Sequence, residues 1–222
     1  MKTIFKGEIY DIVPMTNGFV FAYAKAKTDE NVVVCYKMVN FENGIVTDVA
    51  RNIYLLSKFG SNYTAAAAFT PNHITASALP LPNGKVFICT HEGQAYFLDS
   101  EGGLLWSGEL KYRGKAPPGL AIHRNSLWAC FKDFNVLLRF NIASMREELR
   151  IGGNVSPLSA PTDIFVDGDC AVVSSSGDKK LVKIDLNSYT VKDYKEFEEP
   201  VYSYKKVKGF ELVLLESGLY LL

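Results

Sequence analysis

The chain of 222 residues is poor in several things, and each shortage excludes something. It has no net charge, with 24 basic and 24 acidic residues. That balance gives no electrostatic case for nucleic acid or an anionic membrane as a partner. No apolar run approaches the roughly 18 residues that a bilayer span needs. The opening "MKTIFKGEIYDIV" is broken by Lys6, Glu8 and Asp11, so it does not read as a signal peptide, and the cytoplasm is the expected compartment. There are three histidines and four cysteines. Cys35, Cys89, Cys130 and Cys170 form no CxxC pair, and no short-spaced His or Cys cluster exists to hold zinc. Buried free thiols and no metal or cofactor are the expectation. No convincing apolar stripe of period 3.6 is seen, which removes α/β architectures.

What the sequence does have is a repeat. Turn signals recur at Asn17-Gly18, Asn83-Gly84, Asn125-Ser126, Asp167-Gly168 and Lys208-Gly209. From the second onward the steps are 42, 42 and 41 residues. Asn-Gly and Asp-Gly favour the positive φ angles of a tight hairpin. Each turn precedes a β-rich run, such as "KVFICTHEG" (85–93), "LWACFKDF" (127–134) and "CAVVSSSGD" (170–178). A further strand follows, as in "QAYFLDS" (94–100), "NVLLRFNI" (135–142) and "KLVKIDL" (180–186), and in most units a fourth. Four strands in about 42 residues are the signature of a β-propeller blade.

The ends give the blade count. The last unit stops after its third strand at Leu222, while an orphan strand, "KTIFKG" (2–7), precedes the first. Pairing the two closes the ring and removes two exposed edges. The expectation is an all-β, five-bladed propeller of four-stranded antiparallel blades, forming one domain over 1–222. The blades fall at about 8–60, 73–112, 117–153, 161–197, and 200–222 plus 2–7. Six blades are the nearer competitor, and an open solenoid or sandwich the more distant one. The first step, Asn17 to Asn83, is 66 residues, too short for an extra blade, and reads as insertions.

"PTDIFVDGDCAVVSSSGDKKLVKID" (161–185) resembles an NHL-type propeller repeat, and "APPGLAIHRNSLWACFKDFNVLLRFN" (116–141) is similar. "GQAYFLDSEGGLLWSGEL" (93–110) resembles repeats of quinoprotein-like propellers. The resemblance implies a fold and not a chemistry. Quinoprotein enzymes have more blades, so no quinone is inferred.

In a propeller the first strand of each blade lines the central channel. The blade-to-blade loops and the second-to-third loops share one face, where ligands usually bind. Asp11, Ser77, Asp163 and Ser203 lie early in first strands. Acids there are costly unless paired, and a neighbouring loop backbone is the expected partner of Asp11 and Asp163. Ligand-face candidates are Tyr63, His73, His91, Lys132, Asp133 and Asp178. His123 reads as solvent-facing. The segment 57–73 joins the first two blades on that face, with one helical turn expected at its alanine run.

The reading favoured is a non-catalytic, monomeric binding module for a protein partner or a small ligand or glycan. One alternative is a small glycoside hydrolase using Asp11, Asp163, Glu92 or Glu216 as channel carboxylates. Another is a sensor subunit of a larger assembly.

Overall fold

The computed structural model describes residues 1–27, 32–41, 43–60 and 77–222. It contains five antiparallel four-stranded sheets. Blade 1 is β2 (Ile9–Met15), β3 (Gly18–Lys27), β4 (Val32–Asn40) and β5 (Val46–Val49). After it comes α1 (Arg51–Phe59). Blade 2 is β6 (Ser77–Pro80), β7 (Val86–Cys89), β8 (Gln94–Leu98) and β9 (Leu104–Glu109). Blade 3 is β10 (Gly119–His123), β11 (Ser126–Phe131), β12 (Val136–Asn141) and β13 (Glu147–Gly152). Blade 4 is β14 (Pro161–Asp167), β15 (Cys170–Ser175), β16 (Lys180–Asp185) and β17 (Val191–Glu196). Blade 5 is β18 (Val201–Val207), β19 (Phe210–Leu215), β20 (Gly218–Leu221) and, from the other end of the chain, β1 (Lys2–Phe5).

The ring closes as the sequence predicts, with Lys2 opposite Leu221 and Thr3 opposite Tyr220. Gly218 makes the closure possible. A Cβ there would lie 2.2 Å from the Phe5 carbonyl oxygen, so only glycine lets the first strand approach.

The core is divided into five clusters, one in each gap between blades. The middle strands explain why. Successive side chains on a strand point to opposite faces. Val86 and Ile88 of β7 therefore pack toward blade 1, and Phe87 and Cys89 toward blade 3. Trp128 and Cys130 of β11 pack toward blade 4, and Leu127 and Phe131 toward blade 2. Strands buried on both sides read as continuous apolar runs, which is how they look in the sequence.

Three turns sit one residue away from the pairs that mark them. The two-residue loops are Thr16-Asn17, Arg124-Asn125 and Gly168-Asp169. Arg124 (φ 54°) and Gly168 (φ 60°) take the left-handed conformation. These turns form a chain on the hairpin face. Asp169 accepts from His123 Nε2 at 2.9 Å and Arg124 at 2.8 Å, Lys206 donates to Asp167 at 2.7 Å, and Lys208 to Asn17 at 3.0 Å. His123 is thus a bonded side chain and not a solvent-facing one.

Helix α1 corrects the expectation that no helical stripe exists. It is nine residues long and buries only Tyr54, Leu55 and Phe59, too few for a visible period. Inner strands of neighbouring blades touch in the order β6, β10, β14, β18, β2, and α1 packs on both β2 and β6. It thereby bridges blades 1 and 2. Among the described residues no helix is long and apolar enough to cross a membrane.

Candidate functional site: the polar ring of the channel

The five inner strands place one equivalent residue each at the same height of the channel. They are Asp11, Ser77, Gly119, Asp163 and Ser203, each opposite the fifth residue after its hairpin turn: Ala22, Cys89, Cys130, Ser174 and Leu214. In three blades the register slips immediately before this position, between Ile9 and Asp11, Pro161 and Asp163, and Val201 and Ser203. One extra residue (Tyr10, Thr162 or Tyr202) is accommodated there. Such a bulge kinks a strand and re-aims the next side chain. Asp11, Asp163 and Ser203 follow these bulges, and all three line a channel cavity of about 690 Å³.

Gly119 has a spatial reason. A Cβ on it would meet the Asp163 Cα at 2.5 Å and the Thr162 carbonyl oxygen at 2.6 Å. Its absent side chain lets the backbones of blades 3 and 4 come together at Thr162 and Asp163.

Both carboxylates are paired with lysine. Asp163 Oδ2 accepts from Lys205 Nζ at 2.7 Å and from Ser203 Oγ at 2.5 Å. Lys205 lies two residues beyond Ser203 on the same strand, hence on the same side. Asp11 Oδ2 accepts from Lys58 Nζ at 2.5 Å and Tyr54 Oη at 2.6 Å, both on α1, while Oδ1 takes the Ile12 N–H at 2.9 Å. Burial alone would raise the Asp11 pKa. The Lys58 charge and hydrogen bond, the Tyr54 hydroxyl and the Lys205 charge outweigh it and hold the group below its ordinary 3.8. Burial and the Asp11 charge push the Tyr54 hydroxyl far up, so it stays a donor.

The loop-backbone partners expected for the two acids are therefore replaced by side chains, apart from the Ile12 N–H. Lys58, Tyr54 and Lys205 were missed by sequence reasoning. Lys205 had a signal, its i+2 spacing from Ser203. Lys58 and Tyr54 had none, because α1 buries too few residues to show a period.

The other candidates lie elsewhere. His91, Glu92, Lys132, Asp133, Asp178 and Glu216 are exposed and do not line the cavity. Asp178 is bound up locally, 3.1 Å from the Ser175 hydroxyl. Tyr63, His73 and the alanine run lie outside the described residues. Among the described residues no group of three His, Cys, Asp or Glu could hold a metal.

On the same face a short hairpin stands out in the connection from blade 2 to blade 3. Tyr112 and Lys115 bond to each other through both backbones, with Arg113 (φ 48°) and Gly114 at the tip. Tyr112 is held by Arg150, whose Nη1 donates to its hydroxyl at 2.7 Å. The Arg113 guanidinium lies over the rings of Tyr112 and Phe134, 5.3 and 5.6 Å from their centroids.

Fold and channel define the chain as a five-bladed β-propeller. No protein-family model matches it, and neither does any curated protein. Solved structures similar to it are propellers. The structure of U3-55K is 11% identical with a TM-score of 0.56, the match covering 98% of this chain and 61% of that one. Sqt1 of Saccharomyces cerevisiae is 12% identical with a TM-score of 0.55, covering 95% and 71%. A streptogramin B lyase is 11% identical with a TM-score of 0.54, covering 98% and 69%. At such identities the likeness is one of fold alone.

Proposed function

We propose that this protein is a non-catalytic binding module that offers the loop-rich face around its channel to a protein partner. One observation carries the reading: each channel carboxylate already holds a lysine. Glycoside hydrolysis needs one carboxyl kept protonated as acid opposite a free carboxylate. Asp11 is held ionised instead. Asp163 is bonded to both Lys205 and Ser203. Glu92 and Glu216 stand outside the cavity.

The loop-rich face has the makings of a docking surface. Arg113, Lys115 and Lys132 are exposed cations without a carboxylate partner among the described residues, and Arg113 lies over the rings of Tyr112 and Phe134. Asp133 adds one exposed acid there, and Glu198 and Glu216 form an acidic counterpart near blade 5. Such charges steer and orient a partner. The hairpin face spends its charges on itself through Asp167, Asp169, Lys206 and Lys208. Four free thiols suit a reducing compartment such as the cytoplasm.

The test is quantitative affinity capture from the native source with three baits. These are the wild type, Arg113→Ala/Lys132→Ala on the loop-rich face, and Lys206→Ala/Lys208→Ala on the hairpin face. A partner kept by the wild type and the hairpin-face variant and lost by the loop-face variant supports the reading. Equal capture by all three, or glycosidase activity abolished by Asp163→Asn, sinks it.

A further inference from the structure

We propose that the channel is also a site for a small α-hydroxy or α-amino acid, held by Lys205, Lys58 and Asp163. An inventory of hydrogen-bonding capacity leads there. An ammonium has three donors and a carboxylate about four acceptor sites. Lys205 Nζ uses one donor, on Asp163. Lys58 Nζ uses two, on Asp11 and, at 3.3 Å, on the Tyr54 hydroxyl. Asp11 receives three bonds across both oxygens. Asp163 receives both of its bonds on Oδ2, which leaves Oδ1 without a donor among the described residues. Among the described residues the channel is thus left with surplus N–H donors on two lysines and one open carboxylate oxygen.

These groups are neither dry nor fully wet. The side chains of Lys58, Asp11, Lys205 and Asp163 keep 14%, 29%, 18% and 16% of their exposure, so the cavity communicates with solvent. Its volume of about 690 Å³ falls within the roughly 300–1,000 Å³ of small-molecule pockets. Much of the wall is aliphatic, including Ile12, Leu79, Leu120 and Ile164.

The pattern selects a ligand class. Surplus ammonium donors call for a carboxylate. The cluster of two lysines and two aspartates is neutral overall, so a doubly charged phosphate would face the Asp163 charge and is disfavoured. Lys205 Nζ and Asp163 Oδ2 sit 2.7 Å apart, so a spare donor lies beside the open acceptor. A ligand that matches them bears a carboxylate with a hydroxyl or ammonium on the next carbon. The site stands apart from the partner reading, because it uses none of the loop-face residues.

The experiment uses the whole protein and a defined panel: lactate, glycerate, malate, the common L-amino acids, and propionate, propionamide and phosphate as comparators. Thermal shift ranks them, and NMR amide perturbation locates them. The expected result is a rise in melting temperature with at least one α-hydroxy or α-amino acid, with amide shifts at Asp11, Asp163 and Ser203. Propionate binds at least tenfold more weakly, and propionamide and phosphate give no rise.

Lys205→Met loses the response, while Lys179→Met, on an outer loop, keeps it. Asp163→Asn retains carboxylate binding and narrows the preference over propionate, which keeps the test informative if Lys205→Met folds poorly. Silence across the panel, equal binding by Lys205→Met, or amide shifts confined to the outer loops overturns the proposal. Capture of a protein partner is unaffected by any of these results.

Discussion

Lys205 of blade 5 and Asp163 of blade 4 meet at 2.7 Å inside the channel, so the ion pair spans a joint between blades. Removing one partner leaves the other charge largely buried and uncompensated, which costs more than losing both. Asp163→Leu alone is expected to lower unfolding stability by about 2 kcal/mol, discounted for the remaining exposure. The double variant Asp163→Leu/Lys205→Met should be no less stable than Asp163→Leu. A double-mutant cycle in urea measures this coupling, and strictly additive losses would show that the pair does not act as a unit.

The ring closure has a single tight point. Gly218 has φ 149°, and a Cβ on it would sit 2.2 Å from a backbone oxygen of β1. Gly218→Ala should therefore cost about 2–4 kcal/mol, because backbone cannot yield as a flexible side chain does. Gly153 is the control. It also has positive φ (118°) but open space around it. Gly153→Ala should cost about 1 kcal/mol, from strain alone. Thermal unfolding of the two variants separates clash from strain.

At the joint between blades 3 and 4 the same reasoning applies without backbone strain. Gly119→Ala places a methyl against the Asp163 Cα and the Thr162 carbonyl. A loss of about 1–3 kcal/mol is expected. Hydrogen exchange should quicken at Asp163 and Ile164 first, and exchange unchanged there would contradict the close approach.

Thiol chemistry reports on the buried middle strands β7 and β11. Burial pushes the Cys89 thiol up to about 12 and the Cys130 thiol well above its usual value, with the Asp163 charge adding to the latter. Only thiolates react readily. In the native protein Cys89 and Cys130 should resist Ellman's reagent, leaving reaction to Cys35 and Cys170. All four should react in guanidinium. Rapid native labelling of Cys130 would contradict its burial between blades 3 and 4.

The sequence carried the blades clearly and the chemistry only in part, for physical reasons. Hairpin turns demand glycine or asparagine, and doubly buried strands demand apolar runs, so both recur visibly every 42 residues or so. Asp11, Ser77, Asp163 and Ser203 were legible because polar residues early in apolar inner strands are conspicuous. Their partners were not. Lys205 looks like half of a solvated "KK" until strand alternation separates it from Lys206, whose side chain turns to Asp167 on the hairpin face. Lys58 belongs to a helix with three buried residues, too short for a period. The bulges that aim Asp11, Asp163 and Ser203 leave little residue-level mark, since Tyr10, Thr162 and Tyr202 share only a hydroxyl.

The most direct measurement is a carbon-13 NMR titration of the Asp11 side-chain carboxyl in the folded protein. The paired, non-catalytic channel predicts a midpoint below the ordinary 3.8. A folded-state value below the unfolded one contributes stability that is present above the unfolded pKa. It is lost as pH falls through the folded value. The stability advantage of the wild type over Asp11→Asn should therefore hold at neutral pH and shrink only below about pH 4. A midpoint raised to about 6 would instead mark Asp11 as a protonated acid poised for catalysis, and would contradict the account.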